Sequence, residues 1–143
     1  MSAVHLPVLA AEDEETDALI LQLAFKKARV PNPLIVVGDG EQAVDYLAGS
    51  PPYSDRVAHP LPVLLILDLK MPRISGFDVL SWLTNHPEFK DLPSIVFSSS
   101  PAESDIQKAR QMGARDYIVK PHGLGEMVKA VEQIRDRWLV GIA

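Results

Sequence analysis

Cysteine is absent from the 143 residues, which excludes disulfides, thiolate metal centres and cysteine nucleophiles. A basic excess is also missing. Fourteen Lys and Arg face nineteen Asp and Glu, a formal net charge of -5. That balance argues against a nucleic-acid binder, which shows a basic patch or stripe. No apolar run exceeds Leu61–Leu67, far short of the roughly 20 residues of a membrane span. The stretch Leu6–Ala11 has no basic leader and acids follow at once, so it reads as a strand rather than a secretion signal. A cytoplasmic location is the expectation. There is no internal repeat, and His5, His59, His86 and His122 lie without ligand spacing.

What is present is enough for one core. The chain is 47% hydrophobic and 23% charged, a balance that buries a core and leaves a polar surface. Five short apolar runs, Val8–Ala11, Leu34–Val37, Val63–Leu67, Ile95–Phe97 and Tyr117–Val119, are continuous rather than alternating, as buried parallel strands are. Between them apolar residues recur at helical spacing. The sets are Ile20, Leu23, Ala24 and Ala28; Ala43, Val44 and Leu47; Phe77, Leu80 and Leu83; Ile106, Ala109 and Met112; and Leu124, Met127, Val128, Val131, Ile134 and Trp138. Alternation of five strands with five helices predicts a doubly wound α/β fold. Gly49–Pro62, with prolines at 51, 52, 60 and 62, is expected to be a loop, either a tolerated surface insertion or a contact for a partner. Trp138, Leu139 and Val140 are expected to pack on the domain, with a homodimer contact as the alternative.

The chemistry lies at strand ends. In open parallel sheets, ligands bind beyond the carboxyl ends of the strands. Four of the five runs stop there at a polar residue: Glu12 and Asp13, Asp68, Ser98 and Lys120. Singly, Asp13 reads equally well as a helix cap and Lys120 as a solvated loop lysine. Together they place three carboxylates, a hydroxyl and an ammonium on one rim. Two unit charges about 4 Å apart repel by roughly 4 kcal/mol at an effective dielectric near 20, so such a cluster needs a cation or a raised pKa. An all-oxygen donor set favours a hard cation. Mg²⁺ commonly combines one or two carboxylates with waters and phosphate oxygens. Lys120 and Ser98 are then the groups that would meet phosphoryl oxygens.

At these residues the sequence resembles the response-regulator receiver family, the CheY-like domains. The matching text is Glu12-Asp13, then Leu65-Ile66-Leu67-Asp68-Leu69-Lys70-Met71-Pro72 with Gly76 four residues on, then Ser98, Gly113-Ala114 and Asp116-Tyr117-Ile118-Val119-Lys120-Pro121. Thirty residues lead from Asp68 to Ser98 and twenty-two from Ser98 to Lys120, both similar to the family's spacing. The resemblance implies a flavodoxin-like five-stranded parallel sheet of order 2-1-3-4-5. It implies a single receiver domain over 1–143, core about 6–138, without an output domain. It implies Asp68 as the phosphoacceptor, Lys120 as the phosphoryl partner, and Ser98 and Tyr117 as the switch pair. Asp13, Asp68 and the Lys70 backbone carbonyl are implied as Mg²⁺ ligands, with Glu12 acting through water. Pro121 is implied to follow a cis peptide bond. The implied function is a single-domain response regulator of a two-component phosphorelay, a phosphoacceptor switch rather than a turnover enzyme. Its partners would be a sensor histidine kinase and a downstream protein target or phosphotransfer protein, with no direct nucleic acid or membrane contact.

Some positions depart from the common pattern. Serine at 98 keeps the hydroxyl of the more usual threonine but loses the stiffening methyl. Lys70 and Ser100 hold positions that tune phosphoryl lifetime in the family. The 49–62 loop and the Asp39-Gly40-Glu41 turn are similar to small receivers that partner phytochrome-type kinases. Three rival readings remain at this level: a receiver-like scaffold that is never phosphorylated, an aspartyl-phosphate hydrolase, and a nucleotide- or flavin-binding domain. The hydrolase would want a second acid where Lys70 stands. The nucleotide-binding domain would want a glycine-rich loop where Glu12-Asp13-Glu14-Glu15 stands.

Overall fold

Strands buried on both faces come from aliphatic runs without polar interruption, and three of the five here are buried at every position. They are β1 (Val8–Ala11), β3 (Leu64–Leu67) and β4 (Ser94–Ser98). In the computed structural model, which describes residues 5–139, β2 (Leu34–Val37) and β5 (Asp116–Val119) flank them as edges. All neighbouring pairs are parallel, in the order β2-β1-β3-β4-β5. The crossovers are α1 (Glu15–Lys27), α2 (Gly40–Ala48), α3 (Gly76–Thr84) and α4 (Glu103–Gln111), and α5 (Leu124–Ile134) follows β5. The doubly wound sheet expected from the run pattern is therefore present. No helix among the described residues is long and apolar enough to cross a membrane.

Side chains alternate across the sheet with period two, so each strand feeds two cores. Leu9, Ala11, Leu65, Leu67 and Val96 face one side with Tyr46, Val79, Leu80 and Ala109 from α2, α3 and α4. Val8, Ala10, Leu64, Ile66, Ile95 and Phe97 face the other with Leu21, Phe25, Met127 and Val131 from α1 and α5. The chain continues from α5 into a wider π turn, Arg135–Leu139. There Leu139 is buried and Trp138 half-buried against the second core. Val140 lies outside the described residues.

Helix phase is where the structure departs from the apolar spacing. On α1 the buried stripe is Leu21, Ala24, Phe25 and Ala28, while Leu23 faces water. A helix turns about 100° per residue, so residues 21, 24, 25 and 28 share a face that residue 23 does not. On α2 the polar-tipped Tyr46 is wholly buried, because its hydroxyl donates to the Pro60 carbonyl at 2.8 Å.

The 49–62 segment is indeed a loop, and it is folded down on α2. Gly49 ends the helix at φ +75, the left-handed conformation that a glycine adopts without penalty. The Arg56 guanidinium then donates to the carbonyls of Tyr46 (2.9 Å), Leu47 (2.8 Å) and His59 (3.1 Å). The Tyr46 and Leu47 carbonyls belong to the last turn of α2, where helical i+4 partners run out; Tyr46 O also accepts the Gly49 N–H at 3.3 Å. Tyr53 and His59 pack on the Tyr46 ring. Arg56 is thus the clasp of the loop. Arg56→Ala should destabilise the protein by about 1–3 kcal/mol, read as a lowered urea midpoint at unchanged m-value. It should also open residues 50–60 to limited proteolysis.

Candidate functional site

The parallel register sets the site. Ala11 of β1 is level with Leu67 of β3, so the next residues, Glu12 and Asp68, emerge side by side. Their backbones are pinned there: Asp68 N–H bonds Ala11 O at 3.2 Å, and Glu12 N–H bonds Val37 O at 3.0 Å. Both acids are buried, Glu12 at 8% and Asp68 at 6% exposure, while Asp13 is exposed. One carboxylate oxygen from each of Glu12, Asp13 and Asp68 lies within 4.8 Å of the others.

Opposing these acids is one ammonium. Lys120, one residue past β5, places Nζ 2.6 Å from Glu12 Oε1, 2.7 Å from Asp68 Oδ2 and 2.9 Å from Asp17 Oδ2. Its backbone N–H bonds Ser98 O at 2.8 Å. Burial alone would favour a neutral amine, but the hydrogen bonds to Asp68, Glu12 and Asp17 outweigh it and raise the pKa. Asp17 is the member that the strand-end pattern did not supply. It lies in the first turn of α1, where an acid ordinarily signals only a favourable helix dipole.

Asp68 is oriented by its own turn and by what packs behind it. Lys70 N–H donates to Asp68 Oδ1 at 3.2 Å, which holds the Lys70 backbone beside the carboxylate. Gly76 N–H bonds Leu69 O at 3.1 Å, and a Cβ at 76 would collide with the Asp68 carbonyl oxygen. Glycine at that position is therefore a packing requirement. It lets the start of α3 close on the Asp68 backbone.

Ser98 and Tyr117 are joined through one residue, Ser100. Ser98, wholly buried, accepts the Ser100 N–H at 3.1 Å, and Tyr117 Oη donates to the Ser100 carbonyl at 2.8 Å. Tyr117 lies inward, 8% exposed. Ser100 Oγ in turn donates to Asp105 of α4 at 2.6 Å. The Lys120–Pro121 bond is trans, contrary to expectation, and the cis bond among the described residues is Pro51–Pro52. Isomers of an X–Pro bond differ by only about 0.5–1 kcal/mol, so local contacts choose between them. Proline after lysine does not by itself dictate the cis form. His122 is exposed.

The donor set is all oxygen and carries excess negative charge. Glu12, Asp13, Asp17 and Asp68 face the single charge of Lys120. That excess of acid fits a hard divalent cation, which the Glu12, Asp13 and Asp68 oxygens would hold.

Comparison with known proteins agrees with this geometry. The response regulator receiver domain model matches residues 8–132. The response regulator Rcp1 of Synechocystis sp. is 29% identical over 132 residues, covering 92% of this chain and 88% of that protein. The structure of response regulator RPA3017 in red light signalling of R. palustris matches with TM-score 0.90 and 34% identity, covering 96% of both chains. The phosphorylated cyanobacterial phytochrome response regulator RcpA matches at 0.88 and 29%, covering 98% of both. Rcp1 has a Mn(2+)-bound structure that matches at 0.84 and 28%, covering 96% of this chain and 97% of that one.

The buried acid gives a pH signature. Burial, with Asp68 repulsion, overcomes the Lys120 hydrogen bond and pushes Glu12 from its ordinary 4.5 up to about 7. A carboxyl raised in the fold stabilises it only while protonated. Its contribution is full below about pH 4.5 and is lost as pH rises through about 7. In chelator, unfolding free energy should fall by roughly 2–3 kcal/mol between those limits. Glu12→Gln should flatten the profile, and a divalent cation should restore stability at the alkaline end. Thermal melts across pH with and without chelator read both effects.

Proposed function

Because this chain belongs to the response regulator receiver domain family of two-component systems, with the family model covering residues 8–132, we propose that Asp68 is its phosphoacceptor. The observation that carries the assignment is the clamp at Asp68. A buried carboxylate sits 2.7 Å from the Lys120 ammonium and within 4.8 Å of Glu12 and Asp13 oxygens. In the proposed reaction an Asp68 oxygen attacks the phosphorus of a phosphohistidine in line. The O–P bond forms as the N–P bond breaks, and the imidazole leaves with the electron pair. Bound by Glu12, Asp13 and Asp68, with the Lys70 carbonyl on the same turn, Mg²⁺ would supply charge neutralisation at the phosphoryl oxygens. Lys120 meets the same oxygens with its ammonium, and the backbone hydrogen bonds donated by Asp68 and Gly76 keep the nucleophile in place. Such chemistry is mostly positioning and electrostatics. The protein takes part in its own phosphotransfer but is not a turnover enzyme.

The switch follows from the Ser98–Ser100–Tyr117 link. A hydrogen bond from Ser98 to the acyl phosphate would withdraw its oxygen from the Ser100 N–H. Tyr117 and Asp105 hold the same Ser100, so the change is passed to α4 and β5. The residues from 6 to 138 act as one receiver unit. The output is a binding event with a downstream protein or a phosphotransfer protein, in the cytoplasm, with no direct contact to nucleic acid. A phytochrome-type histidine kinase is the proposed donor. Support comes from the likeness to RcpA, a phytochrome response regulator, and to RPA3017, a red-light response regulator, over nearly the whole chain.

Incubation with acetyl phosphate and Mg²⁺ should add one phosphoryl group by intact mass, stable in acid and labile in base. Asp68→Asn should abolish the gain, and Lys120→Ala should slow it by at least about tenfold. A full-sized gain in Asp68→Asn would move the acceptor elsewhere and end this reading.

A further inference from the structure

Lys120 has three N–H donors and three carboxylates around it. Its ammonium lies 2.6 Å from Glu12, 2.7 Å from Asp68 and 2.9 Å from Asp17, and it donates hydrogen bonds to Asp68 and Asp17. With the ammonium enclosed in this way, an incoming phosphoryl oxygen competes with one of these partners. The three differ in what release entails. Glu12 and Asp68 side chains are 7% and 8% exposed, whereas Asp17 is 38% exposed. Freeing Glu12 leaves a buried carboxylate without its cation, which is strongly unfavourable. Freeing Asp68 loosens the proposed nucleophile. Freeing Asp17 leaves a carboxylate that water can solvate, and a partly exposed ion pair is weak.

We propose that Asp17 is the exchangeable partner of Lys120. It is a positioning residue that occupies one Lys120 donor in the unphosphorylated protein and yields it when the phosphoryl group arrives. The proposal rests on the phosphoacceptor reading above. Two physical consequences act in the same direction. Asp17 withholds a donor from the phosphoryl group, and it adds a negative charge where a phosphoryl donor, itself an anion, must enter. Both slow phosphorylation, so Asp17 acts as a brake. Asp17 lies outside the Glu12–Asp13–Asp68 cluster, so the brake works on Lys120 and not on the cation. The pair also spans from α1 to the segment after β5, 103 residues apart in sequence. Release of Asp17 therefore uncouples the first turn of α1 from that segment.

The test compares second-order rates of phosphorylation of the full chain by acetyl phosphate with Mg²⁺, followed by intact mass. Asp17→Asn should be faster than the parent by roughly two- to fivefold, the factor that a partly exposed ion pair commands. Asp17→Glu, which keeps the carboxylate, should return toward the parent rate. Glu15→Gln removes an exposed charge from the same helical turn and should leave the rate unchanged. Calorimetric titration with Mg²⁺ alone should give Asp17→Asn the parent's affinity. The proposal is overturned if Asp17→Asn reacts at or below the parent rate, or if Glu15→Gln accelerates as much. It is likewise overturned if Mg²⁺ affinity drops in Asp17→Asn, which would place Asp17 in the cation site. An unreactive parent protein would sink the phosphoacceptor reading itself. A reactive parent with an indifferent Asp17→Asn sinks only the brake.

Discussion

One ammonium holds the functional rim of this protein together. Glu12, Asp17 and Asp68 come from three separate elements, and each lies within 2.9 Å of Lys120 Nζ. Without that cation, two buried carboxylates and their exposed neighbours would repel across a low-dielectric pocket. Burial is the main cause of the raised Glu12 pKa, and repulsion by Asp68 adds to it even with Lys120 present. A site left short of positive charge in this way is poised to take up a further cation. The chemistry of the rim follows from that shortage.

The sheet supplies the geometry that the charges exploit. Level ends of β1 and β3 put Glu12 and Asp68 side by side. The β4–β5 pairing puts Ser98 level with Val119, one residue before Lys120. Small residues then close the frame. Gly76 lets α3 start against the Asp68 carbonyl, and Gly40 lets α2 start against the Ile74 backbone. Around that backbone, Asp39 caps α2 by accepting Gln42 N–H at 2.8 Å, and Arg73 lies 3.6 Å from the same acid. The loop that carries Asp68 is thus braced on two sides by helix starts.

What could be read from the chain alone follows from the range of each interaction. Continuous runs such as Leu64–Leu67 have no amphipathic face to misjudge, so the strands were legible, with shifts of a residue at the ends, while their order came only with the family resemblance. The four strand-end residues were legible because a parallel sheet aligns its carboxyl ends whatever the loops do. Helix phase was less so. Ile20, Leu23 and Ala24 fit helical spacing as well as Leu21, Ala24 and Phe25 do, and only packing against β1 and β3 decides between them. Asp17 gave no signal of its own, because an acid in the first turn of a helix is ordinary and its partner lies 103 residues away. Arg56 gave no signal because it acts on backbone carbonyls, which carry no sequence pattern. The trans Lys120–Pro121 bond was beyond reach for a related reason: the energy gap is smaller than the local contacts that settle it.

Charge accounting explains why the clamp is built with more acid than Lys120 can neutralise. With Glu12 also ionised, four carboxylates against one ammonium leave an excess of three negative charges. A divalent cation would reduce the excess to one. Conversion of the Asp68 carboxylate to a dianionic acyl phosphate adds only one charge, because the carboxylate charge is consumed as the bond forms. The proposed phosphorylated, metal-loaded rim therefore carries less uncompensated charge than the fully ionised metal-free rim. Acidic excess in the resting protein thus leaves electrostatic room for the phosphoryl group. A neutral residue at 12 or 13 would relieve the resting site but would weaken its hold on the cation that makes the added charge bearable.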